Sequence, residues 1–351
     1  MTVNEKHMDD LVKTLFDRGD PYEVLEKEQG PAVREYRRKW KMAGEHLSEF
    51  QYPLHLNFEL VYGCNLRCEF CIFNLPAEEW DYKARPGDKI SFEKYQEVVD
   101  EGVRHGLCSI ALNGYNEPLL QADIVKYIDY ARKAGVLDVS LHTNGLLLTE
   151  KMSRALIDSG LTMIMFSIDA ATGKTYEKIR QSRDFNKAIK NVTDFVALKK
   201  TAGKALPLTR VSFVETKVNH MELEDFVSYW RNKIDFFTVQ TFFNPFVGKD
   251  NYEKIESEYR LKDTSFSVCA EPYQRLMITC DGNVLPCCSN YGLGLVVGNI
   301  YQDSVYNIWN SKKMKELRSK INGSKEVQPE ACRKCRASVM SPKSGMKEET
   351  S

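Results

Sequence analysis

The stretch VYGCNLRCEFCIF, residues Val61–Phe73, places three cysteines within eight positions. Its cysteines directly follow LHLNFELVY, a run over 54–62 whose apolar and aromatic composition predicts a β-strand. Closed zinc sites and cubane iron-sulfur clusters normally take four protein ligands. The stretch therefore puts an incomplete set of metal ligands on the loop after a predicted first strand.

The segments that follow alternate between short strand patterns and longer amphipathic helix patterns. Strands are predicted at 108–113, 138–143, 162–168, 209–214 and 236–242, and helices at 91–106, 122–135, 150–160, 185–203 and 222–233. Six β/α units in one run predict an α/β fold with a parallel sheet, arranged as a partial (β/α)6 TIM-like barrel. Active sites of such barrels form on the loops that follow the strands, so the cysteine-bearing loop is expected to be catalytic.

Four regions are expected along the chain. Residues 1–50 form an N-terminal helical extension, with helix patterns at 9–19 and 32–44, and residues 51–265 form the barrel. Residues 266–339 form a small cysteine-rich module, and 340–351 a disordered tail. Within the module, 275–288 predicts a hairpin turned at Asp281-Gly282, and 304–321 predicts one helix.

Composition excludes several classes of function. Lys+Arg and Asp+Glu both number 49, without a long block of like charge, which argues against nucleic acid as a partner. We found neither an apolar run of membrane-spanning length nor an apolar segment in the charged start, so no membrane association and a cytoplasmic location are expected. Thiols stay reduced in that compartment, so the ten cysteines indicate metal binding rather than disulfides.

The spacing C-x-x-x-C-x-x-C, with aromatic Phe70 before the last cysteine, resembles the signature of the radical S-adenosylmethionine superfamily. Spacing alone leaves open a zinc site completed by a distant residue. The resemblance implies a [4Fe-4S] cluster on Cys64, Cys68 and Cys71 whose open iron binds S-adenosylmethionine. Reductive cleavage then yields a deoxyadenosyl radical that takes a hydrogen atom from substrate, with a flavodoxin- or ferredoxin-type protein as electron donor.

The same resemblance implies roles for residues at the ends of later strands. Glu117, in LNGYNEPLL, would receive the ammonium group of the cofactor, although Asn116 stands where a second glycine is common. The other implied cofactor contacts are Phe70, Gly114, Thr143, Asn144, Ser167, Asp169, Arg180, Asn219 and Gln240. Simpler interpretations remain open, since Ser and Asp at strand ends are also helix caps, and His142 at a strand end is either a site residue or a core histidine.

A second group of cysteines lies near the C-terminus. The order Cys269, Gly282, Cys287 and then C-x-x-C at Cys332 and Cys335 resembles SPASM and twitch modules. The resemblance implies one fully ligated auxiliary [4Fe-4S] cluster, with a zinc knuckle as the alternative. Cys288 could replace Cys287 as a ligand, and Cys108 is expected in the core.

The net reaction is an expectation built on this resemblance. A closed cluster beside a radical site can accept an electron, which favours oxidation of an alcohol in a polar small molecule such as a sugar or aminocyclitol, as in inosamine dehydrogenases of the butirosin type. Epimerisation is the alternative, with Cys280 or Cys288 as the donor of a hydrogen atom and Cys108 as a further spare thiol. Peptide modification is disfavoured because the extension is short and lacks a strand pattern, and a non-enzymatic iron-sulfur or zinc sensing module is the remaining alternative.

Overall fold

The computed structural model describes residues 12–15, 20–75, 80, 82–242, 269–324 and 326–340. A single sheet contains all of the strands that it describes. In chain order these are β1 (Val12–Leu15), β2 (His55–Phe58), β3 (Ser109–Ala111), β4 (Asp138–Thr143), β5 (Met163–Ser167), β6 (Leu208–Glu215), β7 (Phe236–Thr241), β8 (Arg275–Ile278), β9 (Asn283–Leu285) and β10 (Gly298–Asn299). The six strands from β2 to β7 run parallel in sequential order, which confirms the predicted partial barrel.

Helices cover the outside of this sheet. They are α1 (Pro21–Gln29), α2 (Ala32–Glu45), α3 (Phe92–Arg104), α4 (Ile124–Ala134), α5 (Glu150–Asp158), α6 (Gly173–Arg180), α7 (Phe185–Thr201), α8 (Leu223–Trp230), α9 (Glu271–Gln274), α10 (Val305–Asn310), α11 (Lys312–Ile321) and α12 (Glu330–Met340). Local signals set several helix starts, since Ser91 and Thr149 each accept a hydrogen bond from the backbone N–H three residues on. Alternation along β2 directs Leu56 and Phe58 into the apolar core under the helices and leaves Asn57 on the barrel side.

The N-terminal extension differs from the predicted all-helical segment. Residues 12–15 form strand β1, which pairs antiparallel with β7, so the helix predicted over 9–19 is wrong there. Pairing with the open edge of the barrel decided the outcome over local helix propensity, because an unpaired edge strand leaves backbone groups unsatisfied. The second predicted helix is confirmed as α2, whose Trp40 carbonyl accepts a hydrogen bond from Gln274 at 3.1 Å. Residues 1–11 and 16–19 lie outside the described part.

The cysteine-rich module continues the barrel sheet. Strand β8 pairs parallel with β2, with Arg275 opposite His55, and returns through the predicted hairpin to β9. Gly282 has a φ of 84° at the turn, a left-handed conformation that glycine adopts readily. The single helix predicted over 304–321 is instead two helices, because the Ser311 side chain caps α11 by accepting from the Met314 N–H. The proposed boundary near 265 lies outside the described residues. So does the predicted tail at 340–351, apart from Met340, which is the last residue of α12.

Candidate functional site

Three cysteine side chains meet at the mouth of the barrel. Cys64, Cys68 and Cys71 follow β2 and line one cavity of about 320 Å³ at the ends of the parallel strands. Backbone bonds fix their loop: the Cys71 N–H donates to the Cys68 carbonyl at 3.0 Å, and the Glu69 N–H donates to Ile179 at 2.8 Å. Burial raises the pKa of Cys64 to about 11 and that of Cys71 to about 12. Thiols of this kind become thiolates when a metal replaces their protons.

Most of the predicted cofactor contacts line the same cavity. The three cysteines are joined there by Phe70, Gly114, Asn116, Glu117, Thr143, Asn144, Ser167 and Arg180. Most of these residues lie at the ends of four successive strands or on the loops that follow them, and Arg180 ends α6. Parallel strands bring such positions to one face of a barrel. The structure thus brings together residues that are far apart in sequence.

Glu117 is held rigidly in this cavity. One of its carboxylate oxygens accepts hydrogen bonds from Thr143 Oγ1 at 2.7 Å and from the Leu119 N–H at 3.1 Å, and the other accepts from the Asn144 N–H at 2.8 Å. Burial raises the pKa of this carboxyl group, and these donors offset part of the effect. The carboxylate is therefore fixed in place and suited to an amino group brought by a ligand.

Gly114 lines the cavity at a point where two other segments of the chain approach its backbone closely. A Cβ atom at this position would lie 2.6 Å from Glu59 Cβ and 3.0 Å from Met277 Cε. Only glycine fits such a close approach without displacing its neighbours. Asn116, at the place of the second family glycine, has a structural role, because its Nδ2 donates to the Val61 carbonyl at 2.9 Å.

Arg180 brings a buried positive charge to the cysteine loop. Its Nη2 donates to the Asp169 carboxylate, and its Nη1 lies 3.5 Å from Cys68 Sγ. Burial lowers the pKa of this guanidinium, but Asp169 and Cys68 outweigh burial and raise it. Its Nε is buried without a hydrogen-bond partner among the described residues, which leaves a donor for a bound ligand.

Three predicted cofactor contacts do not line the cavity in the described part of the chain. Asp169 is fully buried and accepts from Arg180 and from the Val214 N–H at 2.7 Å. The Asn219 amide donates to the carbonyls of Asp169 and Val214, each at 2.9 Å, so it supports the end of β6 from inside. Gln240 lies on β7, with its backbone opposite Val12 of β1. Asp169 and Asn219 thus act on the site through Arg180 and the backbone.

Sequence reasoning missed three polar residues that line the cavity, Asn113, Tyr115 and Asn290. Asn113 and Tyr115 flank Gly114, and the two-residue period of β3 could have placed Asn113 on the barrel side. Asn290 belongs to the cysteine-rich module, and no local pattern indicates that it reaches the barrel. His142, considered from sequence with a core role as the alternative, does line the cavity.

The second cysteine set gathers in the module. Cys332 and Cys335 lie on α12, and the Cys269 N–H donates to Asn322 Oδ1 at 2.8 Å, which ties that segment to the end of α11. Burial raises the pKa of Cys269 to about 12, and the nearby Cys332 and Cys335 add to the effect. Burial also raises the pKa of Cys287, with a further contribution from Cys269. The charge of Cys269 thus interacts with that of each of the other three predicted ligands.

The spacing of these thiols bears on the kind of metal centre. A tetrahedral zinc ion would hold its sulfur ligands about 3.8 Å apart. Within the described ranges, no three cysteine, histidine or acidic side chains are grouped closely enough to share one metal ion. A cubane cluster binds each thiolate to a different iron atom, so its sulfur ligands lie further apart than those of a single zinc ion.

The spare cysteines lie outside the cavity. Cys280 is buried in the module, 3.5 Å from the Tyr82 hydroxyl, which in turn donates to the Glu59 carboxyl. Cys288 is exposed, with its sulfur 3.7 Å from a Glu271 oxygen, and Cys108 is a buried residue just before β3. Neither Cys280 nor Cys288, the two predicted donors of a hydrogen atom, is among the described residues that line the cavity.

Comparison with known proteins agrees with this geometry. Residues 58–208 match the family described as Radical SAM superfamily, and residues 269–336 match SPASM, an iron-sulfur cluster-binding domain. The GTP 3',8-cyclase of Alkaliphilus metalliredigens is 30% identical over 47% of this chain and 48% of its own length. The chain spans about half the length of the curated relatives it matches.

Solved structures share the fold. SuiB of Streptococcus suis bound to S-adenosylmethionine gives a TM-score of 0.62 at 18% identity, over 82% of this chain and 72% of that one. BtrN in complex with AdoMet and 2-DOIA gives 0.53 at 17% identity, over 84% of this chain and 92% of that one. Among the described residues, no helix is long and apolar enough to cross a membrane.

Proposed function

The chain is a radical S-adenosylmethionine enzyme with a C-terminal SPASM domain, and from this premise we propose that it oxidises an alcohol group of a polar small molecule. Its cofactors are S-adenosylmethionine, a [4Fe-4S] cluster that binds it, and auxiliary iron-sulfur clusters in the SPASM domain. We assign Cys64, Cys68 and Cys71 to the first cluster. Cys269, Cys287, Cys332 and Cys335 are assigned to the auxiliary one.

When bound, the first cluster and S-adenosylmethionine supply a deoxyadenosyl radical, which removes a hydrogen atom from a carbon–hydrogen bond. The residues of the chain position the reactants. Glu117 would hold the amino group of the cofactor, and the buried Arg180 Nε would be available to its carboxylate. Phe70 lines the wall of the cavity and offers an aromatic face to the adenine.

The observation that carries the proposal is the contact between the cavity and the auxiliary segment. Tyr115 lines the cavity, and its hydroxyl donates to the Ser289 carbonyl at 3.2 Å. Asn290, three residues after Cys287, lines the same cavity. A cluster on the auxiliary cysteines would be held by the segment that borders this cavity, and it would supply an electron acceptor. An alcohol bound there could then give up a hydrogen atom, a proton and an electron to become a carbonyl compound. A ferredoxin or flavodoxin would supply the starting electron.

Two other reactions have less support. Epimerisation needs a thiol that reaches the substrate, and the described lining contains no cysteine besides the three at the mouth of the barrel. Cyclisation of a nucleoside triphosphate, the other reaction, needs several cationic side chains to bind the phosphates. Arg180 is the single Lys or Arg among the described lining residues, and it is paired with Asp169. The first observation favours oxidation over epimerisation, and the second favours a substrate that carries little negative charge.

The test feeds the anaerobically reconstituted enzyme with sugars and aminocyclitols that carry deuterium at each carbinol carbon. Alcohol oxidation predicts one deuterium in each deoxyadenosine and an equal amount of a carbonyl product, both measured by mass spectrometry. An inverted alcohol would instead establish epimerisation. Deuterium transfer from a peptide, with none from any alcohol, would refute the proposal in favour of peptide modification. Absence of any S-adenosylmethionine cleavage would favour a sensing module.

A further inference from the structure

The cavity contains a buried polar atom that no predicted cofactor-binding residue contacts. Asn113 Oδ1 is buried and has no hydrogen-bond partner in the described part of the protein. Asn113 follows β3, His142 lies on β4 and Asn290 belongs to the SPASM domain, and all three line the same cavity. By contrast, the Glu117 carboxylate already accepts three hydrogen bonds. Buried polar groups without partners are costly, so a bound molecule is expected to satisfy them.

These groups are electrically neutral. Burial, with the nearby Arg210 cation as a second cause, lowers the pKa of His142 to about 3, so its imidazole is uncharged near neutral pH. The two amides carry no charge, and each combines donors with an acceptor. Neutral groups of this kind match hydroxyl groups, which also both donate and accept. They match phosphates and carboxylates poorly, since those bind best to cations.

The position of Asn290 is fixed relative to the barrel. The preceding Ser289 is tied to Tyr115 through its carbonyl, and its hydroxyl accepts from the Tyr291 N–H at 3.3 Å. Two residues further on, a Cβ atom at Gly292 would lie 2.8 Å from Cys287 Sγ. This tight segment therefore presents the Asn290 amide to the cavity in a defined place.

We propose that Asn113, His142 and Asn290 form the substrate subsite and bind neighbouring hydroxyl groups of a polyhydroxylated ring. The assignment rests on the proposed alcohol oxidation and deepens it by naming the residues that select the substrate. Asn290 makes the SPASM domain part of substrate recognition, in addition to holding a cluster.

The experiment changes the charge of the subsite and measures binding without turnover. Calorimetry on the oxidised holoenzyme with S-adenosylmethionine compares two probes, neutral myo-inositol and the diamine 2-deoxystreptamine. Asn290→Asp is expected to raise the affinity for the diamine relative to that for inositol about tenfold, because a carboxylate close to an ammonium group contributes about 1.4 kcal/mol. Asn113→Ala is expected to lower the binding affinity for both probes by about threefold to tenfold.

Asn232→Asp is the matched control, since it adds the same charge at an exposed position on the loop after α8. Iron content and thermal stability equal to wild type confirm that each variant is folded. If both probes bind and Asn290→Asp changes their ratio no more than Asn232→Asp does, the subsite is refuted while alcohol oxidation stands. If the deuterated alcohols transfer no deuterium and neither probe binds, the proposed function itself fails.

Discussion

Replacing Glu59 with Gln should remove a large pH dependence of stability. Glu59 is fully buried against Tyr82, and burial raises the pKa of its carboxyl group from 4.5 to about 8. The carboxyl stays protonated in the folded protein up to about pH 8, but it ionises near its ordinary pKa in the unfolded chain. The stability that depends on the proton is therefore complete below about pH 4.5 and is lost as the pH rises to about 8.

The magnitude follows from the two pKa values. Their difference corresponds to at most about 5 kcal/mol, at 1.36 kcal/mol for each pKa unit. Tyr82, Cys280, Tyr115 and Asp281 are the titratable groups that face this carboxyl group, and the pKa values of Tyr82 and Cys280 are raised too, mainly by burial. Glu59→Gln keeps the shape and an acceptor for the Tyr82 hydroxyl, but it cannot ionise.

The assay is thermal unfolding of the reconstituted protein under anaerobic conditions, from about pH 5 to about pH 8. Wild type should lose stability over this range, and Glu59→Gln should lose much less. Glu28→Gln, at an exposed position of α1, is the control and should follow wild type. Parallel curves for wild type and Glu59→Gln would refute the inference that a buried proton on Glu59 stabilises the fold.

Further substitutions test the packing and charges of the site. Gly114→Ala should cost about 1–3 kcal/mol and weaken S-adenosylmethionine binding, because its Cβ would meet Glu59 at 2.6 Å. Gly173→Ala, with its nearest neighbour at 3.7 Å, should leave both denaturant unfolding and calorimetric binding unchanged. Arg180→Ala should cost about 3–5 kcal/mol in denaturant unfolding by leaving the buried Asp169 unpaired, and an added Asp169→Asn should restore part of the loss; no recovery would contradict the pairing. Cys332→Ala should remove about four irons yet keep deoxyadenosine formation, and loss of all iron would argue against two separate clusters.

The sequence predicted the barrel well because strand runs, turns and helix caps are each encoded by a few neighbouring residues. Strand β4 has the predicted bounds, 138–143, since a strand run there is followed by a turn and then by a capped helix. The pairing of β8 with β2 was not predicted, because it joins segments more than two hundred residues apart. Strand β1 was missed for the same reason, and the break at Ser311 shows a capping serine overriding a continuous helical pattern.

The site was predictable where a motif is contiguous. The cysteine loop and the Glu117 turn both line the cavity, as the family resemblance implies. Asp169, however, turns to Arg180, and its backbone φ of 60° directs the chain away from an ordinary strand end. Asn290 reaches the cavity only through the packing of the SPASM domain on the barrel. Side-chain direction and contacts between domains depend on tertiary structure, which spacing does not encode.

The central claim is that one cysteine set binds a cluster that cleaves S-adenosylmethionine, while the other binds a separate auxiliary cluster. Its most direct test compares wild type with the variant that carries Ala at Cys64, Cys68 and Cys71, both reconstituted without oxygen. Wild type should hold about eight irons and form deoxyadenosine after reduction, whereas the variant should retain about four irons and form none. Bound zinc in wild type, or deoxyadenosine formation by the variant, would contradict the claim.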